Sequence, residues 1–310
     1  MRPILRPGSH VLRRDSAEFQ IGLDPRSAVI LPADEEIRGC LKRLATSADE
    51  SQFTGNRDAE TLGLLAANDL LLDGDRLRPL MPTQQRTPPA TRSRRKQTTV
   101  SRFDVAAVAR EDGDDASRLL ERRAGSRVRL GTFGDAAGEA PAADLQRLVV
   151  RAGLCVADED ATARSSDIGV LVGVGEPRRE RADSWVRDGT PHILVRLTEG
   201  HALVGPFVLP GKTACLRCID AHHTDADSSW PLLIEQYARL TGLDRADGIP
   251  EPVDTLLASV AVAWAARDLA SYAEGRRPSC WSATIRFDAH LATVESRPWL
   301  RHPACGCGWG

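Results

Sequence analysis

Aromatic residues are scarce in this sequence, and neither sign of charge dominates. Phe, Trp and Tyr make up 5% of the 310 residues, and the formal net charge is −2. Leu, Val, Ile and Ala must therefore fill most of the core. A nearly neutral total gives no indication of a nucleic-acid or other polyanionic partner. A chain of this length is long enough for about two domains.

Long apolar runs are also lacking. The longest lies near residues 256–266, which is too short to cross a bilayer, and Arg267 and Asp268 follow it at once. The first 15 residues contain no apolar stretch of the kind that a signal peptide needs. We therefore expect a cytoplasmic protein with no membrane partner. In that compartment, clustered cysteines are more often metal ligands than disulfides.

The usual signature of a nucleotide site is absent as well. After a first strand, predicted at 127–133, such a domain carries G-x-G-x-x-G, which lets the backbone approach a phosphate. Here the glycines of residues 131–138 have the wrong spacing, and Asp135 and Glu139 would place negative charge beside the phosphate. The glycines at 173–175 end a later strand. No Ser/His/Asp arrangement, H-E-x-x-H motif or carboxylate pair is recognisable, so we assign no catalytic and no nucleotide-binding residue.

Four of the seven cysteines form two close pairs that are far apart in the sequence. Cys215 and Cys218 make a C-x-x-C knuckle, and Cys305 and Cys307 make a C-x-C pair. Zinc prefers four thiolate or imidazole ligands in a tetrahedron, and four thiolates leave no open position for a substrate. The two pairs therefore predict one structural zinc ion (Zn²⁺).

Other interpretations of these cysteines stay open. A C-x-x-C motif also occurs in redox proteins, and the four thiols could be unrelated. His302 and the adjacent His222 and His223 are candidate substitute ligands. Three further cysteines lie in apolar surroundings and are predicted to be core residues: Cys40, Cys155 and Cys280.

The first 81 residues have the pattern of a small winged-helix-like domain. Two apolar runs separated by a turn predict a β-hairpin at 19–31. Apolar residues at helical spacing predict helices at 34–44 and 57–71. A second hairpin, the wing, is predicted at 70–77.

The rest of the chain consists of two parts that differ in composition and in apolar pattern. Residues 82–126 are rich in proline and basic side chains, and predict a linker without a packed core. From 127 to 310, strands and helices alternate, which predicts βαβ units and a Rossmann-like α/β domain with a mainly parallel sheet. The final strands, near 281–287 and 291–295, are expected to form an antiparallel pair.

Residues 204–218, which read VGPFVLPGKTACLRC, resemble the zinc knuckle of E1-like activating proteins. These are the relatives of ubiquitin-activating enzymes and of bacterial thiamine-pathway (ThiF) adenylyltransferases. Residues 220–237 and the ending 301–307 resemble more specifically the E1-like partner proteins of azoline-forming cyclodehydratases. In clusters for thiazole/oxazole-modified peptides, these are the leader-peptide-binding C proteins. The likeness covers most of 127–310 and, more loosely, 1–80.

This resemblance implies a function without catalysis by this chain. Such proteins bind the leader of a ribosomally made precursor peptide and present it to a separate, ATP-using YcaO-type cyclodehydratase. E1-like domains commonly pair, so the resemblance also implies a homodimer. The alternatives are an E1-like adenylyltransferase acting on a peptide or carrier-protein C-terminus, and a winged-helix regulator that binds DNA.

The first domain is the expected peptide site, because an extended peptide can add as a strand beside a hairpin and a helix. A DNA-reading helix should be basic, whereas the helix at 57–71 carries Asp58, Glu60 and Asp69 with a single basic residue, so nucleic acid is not the expected partner. The residues predicted to contact the peptide are Phe19, Ile21, Leu23, Val29, Arg57, Thr61 and Asn68.

Overall fold

A computed structural model of the chain forms two compact units. One contains residues 1–97 together with 243–252, and the other contains 98–242 together with 253–310. The structure describes residues 2–46, 48–77, 100, 102–112, 115–134, 138–157, 167–241, 243 and 246–308. The proline- and arginine-rich stretch 82–97 of the predicted linker lies outside these described residues.

The first unit has two small antiparallel sheets. One sheet has the order β2-β3-β4 and the other pairs β1 with β5. The predicted hairpin at 19–31 is confirmed, because Phe19 lies opposite Leu31 and Ile21 opposite Val29. The strands are β1 (Pro3–Leu5), β2 (Val11–Arg13), β3 (Glu18–Ile21), β4 (Val29–Pro32) and β5 (Leu71–Asp73).

The described residues of this unit also form α-helices α1 (Glu35–Ala45), α2 (Asn56–Ala67) and the short α3 (Gly74–Leu77). Helix α1 begins at Asp34, whose Oδ1 accepts a hydrogen bond of 2.8 Å from the backbone N–H of Ile37. The inward faces of α1 and α2 close over one side of the β2-β3-β4 sheet. The shared core includes Leu44 and Leu65, which are fully buried.

The predicted wing is not a hairpin. Leu71–Asp73 is a strand, but residues 74–77 continue as helix α3, and the strand pairs with β1 near the start of the chain. The Asp-Gly-Asp sequence suits the turn of a hairpin, but β5 pairs instead with β1, a strand far away in the sequence. The first unit therefore differs from a winged helix in its second hairpin.

Residues 243–252 return to the first unit from the other end of the chain. Ile249 is 2% exposed, and Glu251 Oε1 lies 2.7 Å from His10 Nε2, with both side chains buried. This buried contact joins the returning segment to the residue just before β2. The predicted domain at 1–81 did not include this segment.

The second unit is built on a seven-stranded mixed sheet with the order β12-β11-β10-β9-β8-β6-β7. Strands β7, β6, β8 and β9 are parallel, and β10, β11 and β12 are antiparallel to their neighbours. The predicted alternation and the final antiparallel pair are thereby confirmed. The strands are β6 (Arg127–Phe133), β7 (Cys155–Val156), β8 (Asp167–Val174), β9 (His192–Thr198), β10 (His201–Val208), β11 (Ala283–Phe287) and β12 (Val294–Pro298).

Helices cover both faces of this sheet, which is why β8 and β9 are buried on both sides. Val170 and Val172 face a core shared with α6 and α10, whereas Leu171 faces a core shared with α7 and α8. The helices are α4 (Arg102–Asp112), α5 (Ala116–Gly125), α6 (Glu139–Arg151), α7 (Arg179–Arg187), α8 (Leu216–Ala226), α9 (Trp230–Leu240) and α10 (Thr255–Ala273).

Part of the predicted linker is folded. Helices α4 and α5 lie within 82–126 and belong to the second unit. Leu119 is 4% exposed, and Arg123 is buried beside the carboxylate of Glu274, which it contacts through Nε at 2.7 Å. The proline content that predicted a linker is concentrated before residue 90, so the average composition over 82–126 hid two helices. Within the described residues, no helix is long and apolar enough to span a membrane.

Candidate functional site

The two cysteine pairs meet at the amino end of α8. Cys215 is the residue that precedes the helix, and Cys218 lies in its first turn. Cys305 and Cys307 reach the same place from a short 3₁₀ turn at Gly306–Gly308. All four sulfur atoms lie within 4.8 Å of one another. The structure therefore brings together the four residues that the sequence predicted as metal ligands.

The distances between the sulfur atoms suit one tetrahedral metal ion. Cys215 Sγ lies 3.7 Å from Cys218 Sγ and 3.7 Å from Cys305 Sγ, and Cys218 Sγ lies 3.4 Å from Cys307 Sγ. A regular tetrahedron with a metal–sulfur bond of about 2.3 Å has edges of about 3.8 Å. The sulfurs also stand too far apart for a disulfide, whose bond is about 2.05 Å. The cluster can hold a metal ion.

The electrostatics of the thiols support the same conclusion. The Cys215 thiol donates a hydrogen bond to Cys218, which lowers the pKa of Cys218 to about 4 and raises that of Cys215. Burial raises the pKa of Cys305 to about 11. The Cys218 thiolate is therefore favoured, whereas Cys215 and Cys305 resist ionisation. A divalent cation removes this conflict, because it binds all four as thiolates.

The histidines that were candidate substitute ligands lie nearby but have other partners. Ala304 N–H donates to His302 Nδ1 at 3.1 Å, so the ring proton is on Nε2, which faces Asp225 Oδ2 at 2.8 Å. His222 Nε2 lies 2.9 Å from the carbonyl oxygen of Leu300, and His223 stacks on Trp230 with 4.2 Å between ring centroids. These contacts fix the segment before Cys305 against α8.

The remaining cysteines divide into two kinds. Cys40 and Cys280 are fully buried, as predicted. Burial raises the pKa of Cys40 to about 12, and Cys280 Sγ donates to Asp268 at 2.8 Å. Cys155 is exposed, so its prediction as a core residue was wrong: it alternates outward on the short edge strand β7.

The glycines of the degenerate nucleotide loop approach protein atoms. A Cβ on Gly173 would lie 2.1 Å from the carbonyl oxygen of Phe133, and one on Gly138 would lie 2.9 Å from the same atom. A Cβ on Gly175 would lie 2.2 Å from Thr241 Oγ1. These glycines permit close packing at the carboxyl ends of β6 and β8. Asp135 lies outside the described residues, and Glu139 is exposed.

A buried ionic network lies beyond the carboxyl end of β8, where open α/β sheets bind ligands. Glu176 accepts hydrogen bonds from Arg179 at 2.9 Å and from Arg196 at 2.8 Å. Arg179 also donates twice to Asp220 at 2.7 Å, and Trp230 Nε1 donates to the same carboxylate. Burial opposes ionisation of Asp220, but Arg179 outweighs it, and the net effect lowers the Asp220 pKa. This network has no signature in the sequence, since Arg179 and Asp220 are 41 positions apart and form no motif.

Most of the predicted peptide-contacting residues are in the core of the first unit. The side chains of Phe19, Ile21, Leu23 and Val29 are between 0% and 8% exposed, and Thr61 is 3% exposed. Thr61, predicted to contact the peptide, is buried one turn before the buried Leu65. Asp58 also points inward, where it pairs with Arg43. Two residues are accessible to a ligand: Arg57 and Asn68.

Strand β4 ends its sheet and presents an outer edge. The Ala33 N–H donates to Ala17 O at 2.6 Å, and residues two apart repeat the direction of their backbone groups. Val29 and Leu31 therefore direct their backbone N–H and C=O groups toward β3. Ile30 lies between them and directs its own N–H and C=O away from β3. Its side chain is 48% exposed, unlike the buried Val29 and Leu31. Among the described residues, no strand pairs with this edge.

Helix α2 presents an exposed stripe next to the end of β4. Arg57 pairs with Glu60 at 3.0 Å and lies 3.7 Å from Asp34, which follows β4 closely. Leu64 is 43% exposed, and Asn68 Nδ2 donates to the Leu64 carbonyl oxygen. These positions are three or four residues apart, so they lie along one side of the helix.

Comparison with known proteins identifies the fold. No family model matches the chain, and no curated protein matches it. Among solved structures, the heterocyclase TruD shows 17% identity and a TM-score of 0.51, over 99% of this chain and 43% of that one. A heterocyclase in complex with substrate and cofactor shows 16% identity and a TM-score of 0.52, over 98% and 39%. E. coli MccB shows 13% identity and a TM-score of 0.47, over 99% of each chain.

These likenesses define a shared fold with the two heterocyclases. This chain spans about two fifths of the length of those proteins. Their overall architecture over that length includes both units of the present chain.

Proposed function

We propose that the chain binds an extended leader segment of a ribosomally made precursor peptide and presents it to a YcaO-type cyclodehydratase. The observation that carries this proposal is the outer edge of β4, with the exposed Ile30 and the accessible side of α2 next to it. A leader that adds to this edge as a strand takes its affinity from main-chain hydrogen bonds, and its specificity from side chains at alternate positions.

The burial of the predicted contact residues changes how such a leader would be read. Phe19, Ile21 and Val29 hold the sheet in place from behind, so they act on the peptide through the backbone. The side chains that would contact the leader directly are those of Ile30 on the strand and of Arg57, Leu64 and Asn68 on α2. An apolar side chain in the leader suits Ile30 and Leu64, and a carboxylate suits Arg57.

The partner enzyme is inferred from the resemblance of residues 220–237 and 301–307 to the E1-like partner proteins of cyclodehydratases. Two heterocyclases contain the present fold in about two fifths of their chains, one of them in a complex with substrate and cofactor. We infer that a YcaO-type cyclodehydratase supplies the ATP-dependent step. The packed glycines and the ionic network at the carboxyl ends of β6 and β8 support a chain that is not itself an adenylyltransferase.

We infer that the metal of the four-cysteine cluster is zinc with a structural role. Thiolate ligands in a tetrahedron favour zinc among the common cellular divalent ions, and four protein ligands leave no position for a substrate. The cluster joins the segment 301–307 to α8, near the end of the sheet that carries β10 and β11.

The test of leader binding uses the full chain and a matched pair of variants. Ile30→Pro removes the outward N–H of β4, whereas Ile30→Val keeps that N–H and an apolar side chain. Fluorescence anisotropy with a labelled leader peptide from the same gene cluster should show at least about tenfold weaker binding for the proline variant, because an edge hydrogen bond is lost and the added strand is displaced. The valine variant should bind like the unmodified chain.

Two results would contradict the proposal. One is equal leader affinity of the two variants, with circular dichroism showing that both are folded. The other is sequence-specific binding of duplex DNA by the unmodified chain with no binding of leader, which would favour the regulator. A peptide-dependent ATP–pyrophosphate exchange by the chain alone would favour the adenylyltransferase instead.

A further inference from the structure

A cavity of about 600 Å³ opens at the amino ends of two parallel strands of the second unit. Ser126 precedes β6 and Asp167 begins β8, and both residues line the cavity. Open α/β sheets bind their ligands at the carboxyl ends of the strands, which is the opposite edge of the sheet. The volume nevertheless lies within the range of small-molecule sites, about 300–1,000 Å³. None of the described residues that line the cavity belongs to β4, to α2 or to the cysteine cluster.

Two arginines at this cavity have no carboxylate partner among the described residues. They are Arg122, near the end of α5, and Arg277, in the turn after α10, and both are exposed. Another arginine that lines the cavity, Arg276, pairs with Asp112 on α4. The cavity therefore presents two positive charges that the described part of the chain does not neutralise.

Asp167 supplies the one carboxylate among the described residues that line the cavity. Its side chain is buried, and Arg127 donates to both of its oxygens, at 2.8 Å and 2.9 Å. A bidentate pair of this kind neutralises the carboxylate. The charges of Arg122 and Arg277 are therefore left for a ligand.

Gly275 holds the Arg122 side chain next to the turn that carries Arg277. Its φ is +84°, and a Cβ at this position would lie 2.7 Å from Nη2 and 2.8 Å from Nη1 of Arg122. Glycine combines this backbone conformation with so close an approach because it has no Cβ. The Arg122 guanidinium therefore packs on the backbone of the turn, close in sequence to Arg277.

Aromatic side chains form another wall of the cavity. Tyr272 and Trp281 line it, and both are partly exposed. Behind them lies the fully buried Phe207, whose ring centroid is 4.8 Å from that of Tyr272 and 6.1 Å from that of Trp281. The Arg277 Cζ lies 5.7 Å from the Trp281 centroid. Apolar ring surface thus adjoins one of the two arginines, an arrangement that suits a planar ligand with a negative charge.

We propose that this cavity binds a small compound in which a planar ring carries a phosphate monoester. The phosphate has a charge of about −1.5 to −2 at neutral pH, which matches the two arginines. A guanidinium group binds phosphate oxygens through two parallel hydrogen bonds. The ring lies against Tyr272 and Trp281. Because the ligand joins α5 to the turn after α10, its binding stabilises the folded state.

The test measures the binding of phenyl phosphate to the full chain by isothermal titration calorimetry at neutral pH. We expect a dissociation constant of about 100 micromolar or lower, a range that a ligand of this size can reach. Inorganic phosphate has the charge without the ring, and benzoate has the ring with a single negative charge. Each should bind at least about tenfold more weakly, because each makes only part of the contacts.

Two variants assign the binding to this cavity. Arg122→Gln and Arg277→Gln should each weaken phenyl phosphate binding about tenfold or more, because each removes a charged hydrogen-bond donor. Arg187→Gln is the matched control, since it removes an exposed arginine at the end of α7, outside the cavity, and it should bind like the unmodified chain. Phenyl phosphate should also raise the melting temperature of the unmodified chain and of the control more than that of the two cavity variants.

Three results would overturn the proposal. One is the absence of binding by phenyl phosphate at about 5 mM, well above the expected dissociation constant. Another is an equal loss of affinity in Arg187→Gln and in the cavity variants, with circular dichroism showing that all are folded. The third is inorganic phosphate or benzoate binding as tightly as phenyl phosphate, a comparison that needs no variant to fold. None of these probes is a peptide, so leader binding is tested separately.

Discussion

Cys218 links the two cysteine pairs of the cluster. Its sulfur accepts a hydrogen bond from Cys215 and lies 3.4 Å from Cys307, so it touches both halves of the cluster. Because ligand binding is coupled to folding, we expect Cys218→Ser to lower metal content and thermal stability together. Elemental analysis and calorimetry on the same preparation measure both.

The matched control for that variant is Cys155→Ser, which changes an exposed thiol outside the cluster. It should retain one zinc ion per chain and the original melting temperature. Well under one zinc per chain in the unmodified protein would contradict the assignment of the metal.

His192 makes the stability of the sheet depend on pH. Its Nδ1–H donates to the Thr190 carbonyl oxygen at 2.9 Å, its Nε2 is buried, and burial lowers the pKa from 6.5 to about 4. Between pH 6.5 and about 4, His192 therefore binds a proton in the unfolded chain but not in the folded chain. Stability should be fully present above pH 6.5 and fall by roughly 3 kcal/mol as the pH decreases to 4.

Urea denaturation at about pH 7.5 and about pH 4.5, on either side of the unfolded-state pKa, measures this loss. The comparison variant is His192→Asn, whose side-chain amide can still donate to Thr190 but does not titrate. We expect a smaller difference between the two pH values in the variant. Identical pH dependence in both proteins would show that other groups cause it.

The chemistry of single residues was predictable where spacing carries the information. Cys215, Cys218, Cys305 and Cys307 met because two short motifs supply one tetrahedron, and no helix or strand had to be placed to infer this. Thr61 was not predictable in the same way. Its burial depends on the rotation of α2 about its axis, which Asp58 and its partner on a different helix decide.

Helix α10 contains the longest apolar run of the sequence. Most of the helix is buried against the sheet and α6. One polar residue in it, Asp268, accepts hydrogen bonds from the backbone N–H groups of Ser279 and Cys280 and from both of their side chains. The helix therefore fixes the turn that leads into β11.

Asp268→Asn should destabilise the second unit. The amide offers an N–H where the carboxylate accepted, so at least one buried donor loses its partner, at a cost of about 2–3 kcal/mol. Denaturation with urea measures this. Asp288→Asn is a matched control, because that carboxylate also accepts backbone N–H groups but in an exposed turn. A loss no larger than that of the control would mean that water replaces the missing acceptor.

Strands and helices of the second unit were largely predictable, because each has a clear period and most partners are close in sequence. Strand β8 is an example, with eight buried residues in a nearly unbroken apolar run. The prediction of the wing was wrong for the opposite reason, because its partner strand is distant in sequence. Residues 70–77 carry good turn chemistry, yet β5 pairs with β1 at the start of the chain, and local sequence contains no sign of that competition.

At the scale of the whole molecule, the first unit is not continuous in sequence. Residues 243–252 belong to it, although most of the second unit lies between. Composition and periodicity divide a chain only into consecutive segments. The predicted domain at 1–81 therefore could not include residues 243–252. The contact that reveals the arrangement is the buried pair of His10 and Glu251.

This arrangement predicts that the first unit needs its remote segment for full stability. A fragment of residues 1–97 leaves His10 without Glu251 and exposes the apolar surface that Ile249 covers. Joining residues 243–252 to that fragment through a Gly/Ser linker should raise its melting temperature, by about 4–8 °C for each kcal/mol recovered. Circular dichroism of the two fragments measures the difference. Glu251→Gln in the joined fragment should remove part of the gain, because it replaces the buried carboxylate that contacts His10. Equal melting temperatures for all three proteins would mean that the segment lies on the unit without supporting it, and leader binding could then be studied on residues 1–97 alone.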